Sequence, residues 1–276
     1  MNSSTSRAAV GAHAKSSARK LSLLLQLTRR DIESRYRGSG LGLIWTIATP
    51  LLMLGVYTLV FGTVFKSRWA GSSDTASPME FAVILFSGLI LFQLFSDVML
   101  RAPTIITMNA SLVKRVVFPL ELLVPSALLS SLFHAGVSLL ILVPFIYLVF
   151  GAVHVTLLFL PLIIIPLALM VSGLGWFLAS LGTYIRDIGQ IVGTIVTALL
   201  FLAPIFFPLS ALPEVIQPVL VFNPMTVPIE QLRRIMIFGQ LPDFSALGIY
   251  TAVALVISVL GYQWFERTRK GFADVL

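Results

Sequence analysis

The side chains with the clearest chemical capacity stand in one short stretch, Arg35-Tyr36-Arg37, followed across Gly38, Gly40 and Gly42 by Trp45. A planar guanidinium fork matches the oxygens of a phosphate, and an aromatic face suits a sugar ring or the amphipathic zone of a membrane surface. Two readings fit this pattern: capture of a phosphate-bearing ligand, and simple anchoring of the chain at a headgroup layer. A second basic pair, Lys114 and Arg115, follows Asn109, Ser111, Leu112 and Val113 in a segment that alternates apolar and basic character, the mark of a short amphipathic surface helix. A third set is Glu230 with Arg233 and Arg234, at helical spacing for an ion pair. Asp97 and Arg101 stand at i, i+4, as an interfacial pair or as part of a gate, and His134 is solitary in an apolar run.

What these residues do not form is equally informative. The chain has no phosphate-binding P-loop, no HExxH, no G-x-S-x-G and no metal-spaced His/Asp cluster, and it contains no cysteine. No catalytic residues and no metal ligands are assigned. Ion-driven carriers place carboxylates or other polar ligands at the midplane, and the apolar runs here offer almost none.

The elements that must carry these residues are membrane spans. Hydrophobic residues make up 57% of the 276 and charged residues only 11%, against about 25% in soluble domains. The formal charge of +7 sits beside apolar runs rather than in an aromatic-interleaved soluble module, which argues against nucleic acid as a partner. The leucine run at 21–27 is broken by Thr28, Arg29, Arg30 and Asp31 with no small-residue cleavage site after it, so it is expected to be retained.

In order, the sequence predicts a mobile tail over 1–19, an amphipathic interface helix over 20–37, and spans at about 41–65, 81–100, 126–150, 156–182, 189–207 and 245–265. The fold class is therefore an all-α integral membrane protein with six transmembrane helices. The short amphipathic helix lies between spans two and three. Pro204, Pro208, Pro213, Pro218, Pro224 and Pro228 punctuate an apolar region that no continuous helix can cross, so 205–240 is expected to hold broken, re-entrant helices that gate an exit. With six crossings, 15 of the 19 Lys and Arg fall on the side that carries both termini, which makes that side cytoplasmic.

Together, RYRGSGLGLIWTIATPLL, LVKRVVFPLELL, RDIGQIVGTIVTALLFLAPIFFPLSALP, NPMTVPIEQLRR and the closing FERTRKGFADVL resemble the membrane subunit of type 2 ABC exporters of the polysaccharide branch, over residues 20–276. The resemblance implies a homodimer in a bacterial inner membrane, paired with two copies of a separate ATPase subunit that binds the ATP and Mg. This chain itself would hold no cofactor. It implies a coupling role toward the ATPase for Asn109, Leu112, Val113, Lys114 and Arg115, and a gate role for the six prolines. The cargo would be a polysaccharide on undecaprenyl pyrophosphate, O-antigen first, with teichoic acid, capsule or galactan as alternatives. Arg35, Tyr36, Arg37 and Trp45 would then stand where that pyrophosphate enters. A channel or ion-driven carrier is the reading from a different class.

Overall fold

The computed structural model describes residues 3–64, 78–113, 118–209, 220 and 222–276, with side chains at 18–61, 79–113, 118–209, 220 and 222–276. Among the described residues every regular element is helical. Helix α1 covers Ser3–Arg35, so helical backbone extends upstream through residues expected to be a tail. That segment carries Ala, Arg and Lys, all good helix formers, and no proline. After a turn at Tyr36–Leu41 with Gly38 at φ +87° and Gly42 at φ +51°, a 3-10 turn at Gly42–Ile44 enters α2 (Trp45–Tyr57), which loosens into a π-helix over Thr58–Val64.

Helix α3 spans Pro78–Ile105, well beyond the expected 81–100. A 3-10 turn at Thr107–Asn109 and the four-residue α4 (Ala110–Val113) occupy the place of the predicted amphipathic helix; Lys114 and Arg115 lie outside the described residues. Then come α5 (Leu123–Phe150), α6 (Leu160–Tyr184) behind a 3-10 entry at Val155–Phe159, α7 (Ile188–Leu202), α8 (Thr226–Met236), α9 (Phe244–Thr268) and the terminal turn α10 (Phe272–Val275).

Five segments are long and apolar enough to cross a bilayer: Gly42–Phe61, Met79–Ile105, Leu120–Phe150, Val155–Tyr184 and Phe244–Val275. The expected span at 189–207 differs: α7 has 15 residues, about 22 Å at ~1.5 Å per residue, short of the ~30 Å hydrocarbon core. The residue before Pro204 explains the stop. Ala203 is extended (φ −82°, ψ 148°), the conformation that a following proline ring imposes.

Helix α3 is the hub. Apart from the stripe of Gln93, Asp97 and Arg101 its sequence is largely apolar all round, and 78% of its most apolar window is buried, against 11–28% in the other four spans. It contacts α2, α5, α6, α7 and α8, and Leu85, Leu91, Leu94 and Val98 form the centre of the main core. The tightest pair is α6 with α9. A Cβ added to Gly173 would stand 2.5 Å from the carbonyl oxygen of Ile257, so these two backbones touch where small residues allow it.

Candidate functional site

Three arrangements of polar groups stand out from the apolar bundle. The first is a clasp between α1, α3 and α5 at the end of the bundle that carries Arg101, Arg267 and Arg269. Arg101 reaches both Asp97 (2.9 Å) and the two oxygens of Asp31 (2.9 and 3.1 Å), and it donates to the Ala127 carbonyl at 3.1 Å. Arg35 pairs with Asp97, whose same oxygen accepts from the Ser131 hydroxyl. Two carboxylates and two guanidiniums sum to zero charge, which is how half-buried ions are tolerated. Next to them the Nδ1 of His134 lies 2.7 Å from the Ser130 carbonyl and must carry the hydrogen, because a carbonyl cannot donate. Its Nε2 is left to accept from the Tyr36 hydroxyl at 2.9 Å.

The predicted entry residues are thus separated by the fold. Arg35 and Tyr36 face into the clasp, Arg37 is exposed in the turn, and Trp45 is exposed at the start of α2. The Tyr36 ring lies 5.9 Å from that of His134, and among the described residues no ring contact joins it to Trp45. Asp97, Ser131 and His134 were not singled out as partners of this stretch, because their pairing runs across 62 and 98 residues of chain.

A second knot lies at the same end. Glu121 accepts from Lys20 (2.9 Å) and Arg269 (3.2 Å), and its backbone carbonyl accepts from the indole of Trp176 at 3.0 Å. Below it Ile106, Leu120, Val124, Phe265 and Phe272 form a separate apolar cluster. Leu112 and Val113 pack against that cluster, Asn109 donates to the Ile105 carbonyl at 2.8 Å, and Met108 projects with 82% of its surface exposed. Of the five predicted coupling residues, then, Leu112 and Val113 are backed by a cluster that includes the C-terminal Phe265 and Phe272, and Asn109 is tied to its own chain at Ile105.

The third arrangement sits at the opposite end, where α7 stops. Arg233 on α8 is 1% exposed, and its guanidinium donates to three carbonyls: Pro204, Ile205 at 2.9 Å and Ile84 at 3.3 Å. Asn223 donates to the Leu199 carbonyl at 3.1 Å and accepts from the Met225 amide at 2.9 Å. A helix terminus leaves its last carbonyls without intrahelical partners; Asn223 supplies the one at Leu199, and Arg233 supplies those of Pro204 and Ile205 in the non-helical backbone just beyond it. The spacing that suggested a Glu230–Arg233 pair is seen at 3.8 Å, but the carbonyl contacts dominate and no local pattern announces them.

Around this break, Tyr57, Phe61, Phe81, Phe86 and Phe206 form a chain of ring contacts with centroids 5.6–6.4 Å apart. Pro204 is buried, Pro208 and Pro224 are half-buried, and Pro228 is buried in the first turn of α8. Pro213 and Pro218 lie outside the described residues.

Among the described residues, α7 presents an exposed face of mixed character. Helix α7 buries Val192 and Val196 toward α3, and on the opposite side exposes Gln190, Thr194, Thr197 and Phe201 in one line at i, i+4, i+7 and i+11. Thr194 and Thr197 donate to the carbonyls of Gln190 and Gly193, at 3.1 and 2.9 Å, which leaves their oxygens free to accept. The threonine donors are satisfied within the helix, and with Gln190 the line still offers acceptors that suit water or a hydroxylated ligand.

The sequence pattern of the ABC-2 type transporter family matches residues 22–237. The chain belongs to the ABC-2 type transporter family. Among curated relatives, this ABC-2 chain is similar to the O-antigen export system permease protein RfbA of Myxococcus xanthus, with 28% identity over 256 residues covering 91% of this chain and 94% of that protein. It is 23% identical to the protein of the same name from Klebsiella pneumoniae over 92% of this chain and 95% of that one. The polysialic acid transport protein KpsM of Escherichia coli is 26% identical over 243 residues, covering 86% of this chain and 91% of that protein. The matched range takes in the residues of the clasp, of the Thr107–Val113 segment, of the α7 face and of the helix break.

Proposed function

We propose that this chain is the membrane subunit of an ATP-driven polysaccharide exporter, acting as a homodimer with two copies of a separate ATP-binding subunit. The observation that carries the reading is the outward polar line of α7. A second copy facing it would turn two exposed faces into the walls of one hydrated path, along which sugar hydroxyls exchange hydrogen bonds with Gln190, Thr194 and Thr197. The names of the relatives support a glycan cargo, and O-antigen on an undecaprenyl pyrophosphate anchor is the cargo we favour.

In this account the membrane is the bacterial inner membrane, with both termini and the Met108–Arg115 segment on the cytoplasmic side. That segment receives motion from the ATPase. Arg37 and Trp45 are the groups of the glycine corner that remain open to an incoming pyrophosphate, while Arg35 and Tyr36 hold the corner in place. The proline-interrupted region with its aromatic cluster closes the far end as an outer gate.

The test is reconstitution of the full chain in proteoliposomes with lipid-linked glycan, with and without the ATP-binding subunit. Translocation only with both subunits and ATP supports the exporter. Translocation by this chain alone, or driven by an ion gradient, makes it a channel or a carrier.

A further inference from the structure

The crossing of α6 and α9 has a second consequence on its outer side. Because Gly173 and Gly261 bring the two backbones into contact, the surface beside them is hollowed. A groove of about 310 Å³ runs from this crossing toward the basic end of the bundle, walled by Leu174, Phe177, Leu260 and Trp264, with Gln263 and Arg267 at its mouth. The Phe177 and Trp264 rings stand 5.8 Å apart and are both exposed, so the groove opens away from the bundle rather than into it.

The mouth is cationic. Neighbouring Glu266 is taken by Arg269 at 2.8 Å, Arg269 also reaches Glu121, and among the described residues Arg267 makes no ion pair. No carboxylate lines the groove. Along α9, Gly261 lies six residues before Arg267, about 9 Å deeper at ~1.5 Å per residue. An apolar floor with a single cation about 9 Å above it matches an amphiphile with a negative head. A free anion would make no use of the floor, and a bare hydrocarbon would make no use of the arginine. A second copy of this chain seated here would bury Arg267 with no carboxylate in the groove to meet it, at the cost of an unpaired charge.

We propose that this groove binds one anionic glycerophospholipid, with its phosphate at Arg267 and Gln263 and the upper part of one acyl chain laid over the Gly173–Gly261 contact. The volume is at the small end of ligand pockets, enough for part of a chain and not for a whole lipid. The site is on the outside of the α6–α9 pair, away from the α7 face, and it stands whether or not the exporter reading does.

The four tryptophans make the test direct, because Trp264 is in the wall. Full-length chain with Trp45, Trp69 and Trp176 replaced by Phe, in bilayers containing dibrominated phosphatidylglycerol or dibrominated phosphatidylcholine, reports occupancy of the groove as quenching. The expected result is about fivefold tighter apparent binding of the phosphatidylglycerol, the ratio that ~1 kcal/mol for one arginine at an anionic surface gives. Arg267→Gln should remove the preference, and Leu174→Phe should weaken quenching by both lipids. Equal quenching by the two lipids, quenching by neither, or a preference that survives Arg267→Gln overturns the proposal. If the single-tryptophan chain does not fold, native mass spectrometry of the wild-type chain from mixed bilayers replaces it. Retained phosphatidylglycerol should then fall in Arg267→Gln, and equal retention overturns the site.

Discussion

Asp97 is the residue on which the basic end turns, because it alone receives Arg35, Arg101 and Ser131 at once. Its side chain is 19% exposed, between the surface pairs worth ~0–1 kcal/mol and the buried ones whose breakage costs ~3–5 kcal/mol. Asp97→Asn should therefore destabilise the full chain by about 2 kcal/mol, read as a lowered midpoint of thermal unfolding in micelles. It should also loosen α1 against α3, although the Arg101–Asp31 pair still joins them, so that a cysteine at Ser34 reacts faster than in the parent. Unchanged stability and reactivity would mean that the clasp is ornamental.

Arg37 stands against this as a control with a different signature. It is exposed in the glycine corner, so Arg37→Gln should leave the unfolding midpoint within about 1 °C, as surface substitutions do, while lowering substrate-stimulated ATP hydrolysis and export. Full export by Arg37→Gln would return the corner to a purely anchoring role.

At the scale of elements, the break after α7 is held by two side chains, not by its prolines alone. Arg233→Met keeps most of the volume but takes this donor from the Pro204 and Ile205 carbonyls, while Ile84 keeps the Ser87 hydroxyl. Hydrogen bonds to a charged group are worth ~1.5–3 kcal/mol each, and an orphaned buried acceptor costs ~1–3 kcal/mol. A loss of at least about 3 kcal/mol is expected, and Arg233→Lys should not restore it, since an ammonium lacks the fork. Wild-type stability in either variant would contradict this account of the break.

The Thr107–Val113 segment, for which a coupling role is proposed, gives the complementary case. Leu112 and Val113 pack against the cluster that holds Phe265 and Phe272 from the C-terminal end of the chain, and Met108 is exposed. Reversing the charge of Lys114 and Arg115 should release the ATPase subunit or uncouple its hydrolysis from export, measured by co-purification and by ATP turnover per glycan moved. Complex formation and export at parental levels would assign the pair to lipid headgroups.

These elements also mark what the sequence could and could not say. Five of the six expected spans, the glycine corner and the helix at Thr226–Met236 follow from local rules, because apolar length, φ-permissive glycines and a first-turn proline act within a few residues. The fifth predicted span was too long: an apolar run continues past Pro204, but the backbone cannot. The clasp, the Glu121 knot and the Arg233 cap were not legible, since each joins groups roughly 30 to 150 residues apart. Arg35 is the sharpest instance. Its type suggests phosphate, and its position on a helix that lies against α5 brings it to a carboxylate of α3, a pairing that no local pattern announces.

For the whole molecule, the arrangement is a closed inner side and an open outer one. Helix α3 is wrapped on most sides, α1 and the C-terminal turn lock the basic end, and the faces of α2 and α7 are left exposed. The central claim is that the α7 face becomes the wall of a hydrated path between two copies. The chain has no cysteine, so each introduced thiol is unique. The most direct measurement places single cysteines at Gln190, Thr194 and Thr197, and at Val192 and Val196 on the opposite side. The assembled exporter is then exposed to a membrane-impermeant thiol reagent, with and without bound lipid-linked glycan. The account predicts that 190, 194 and 197 are labelled and then protected by glycan, while 192 and 196 stay unreactive. Labelling that ignores this helical phase, or thiols at 194 and 197 that no aqueous reagent reaches, would contradict it.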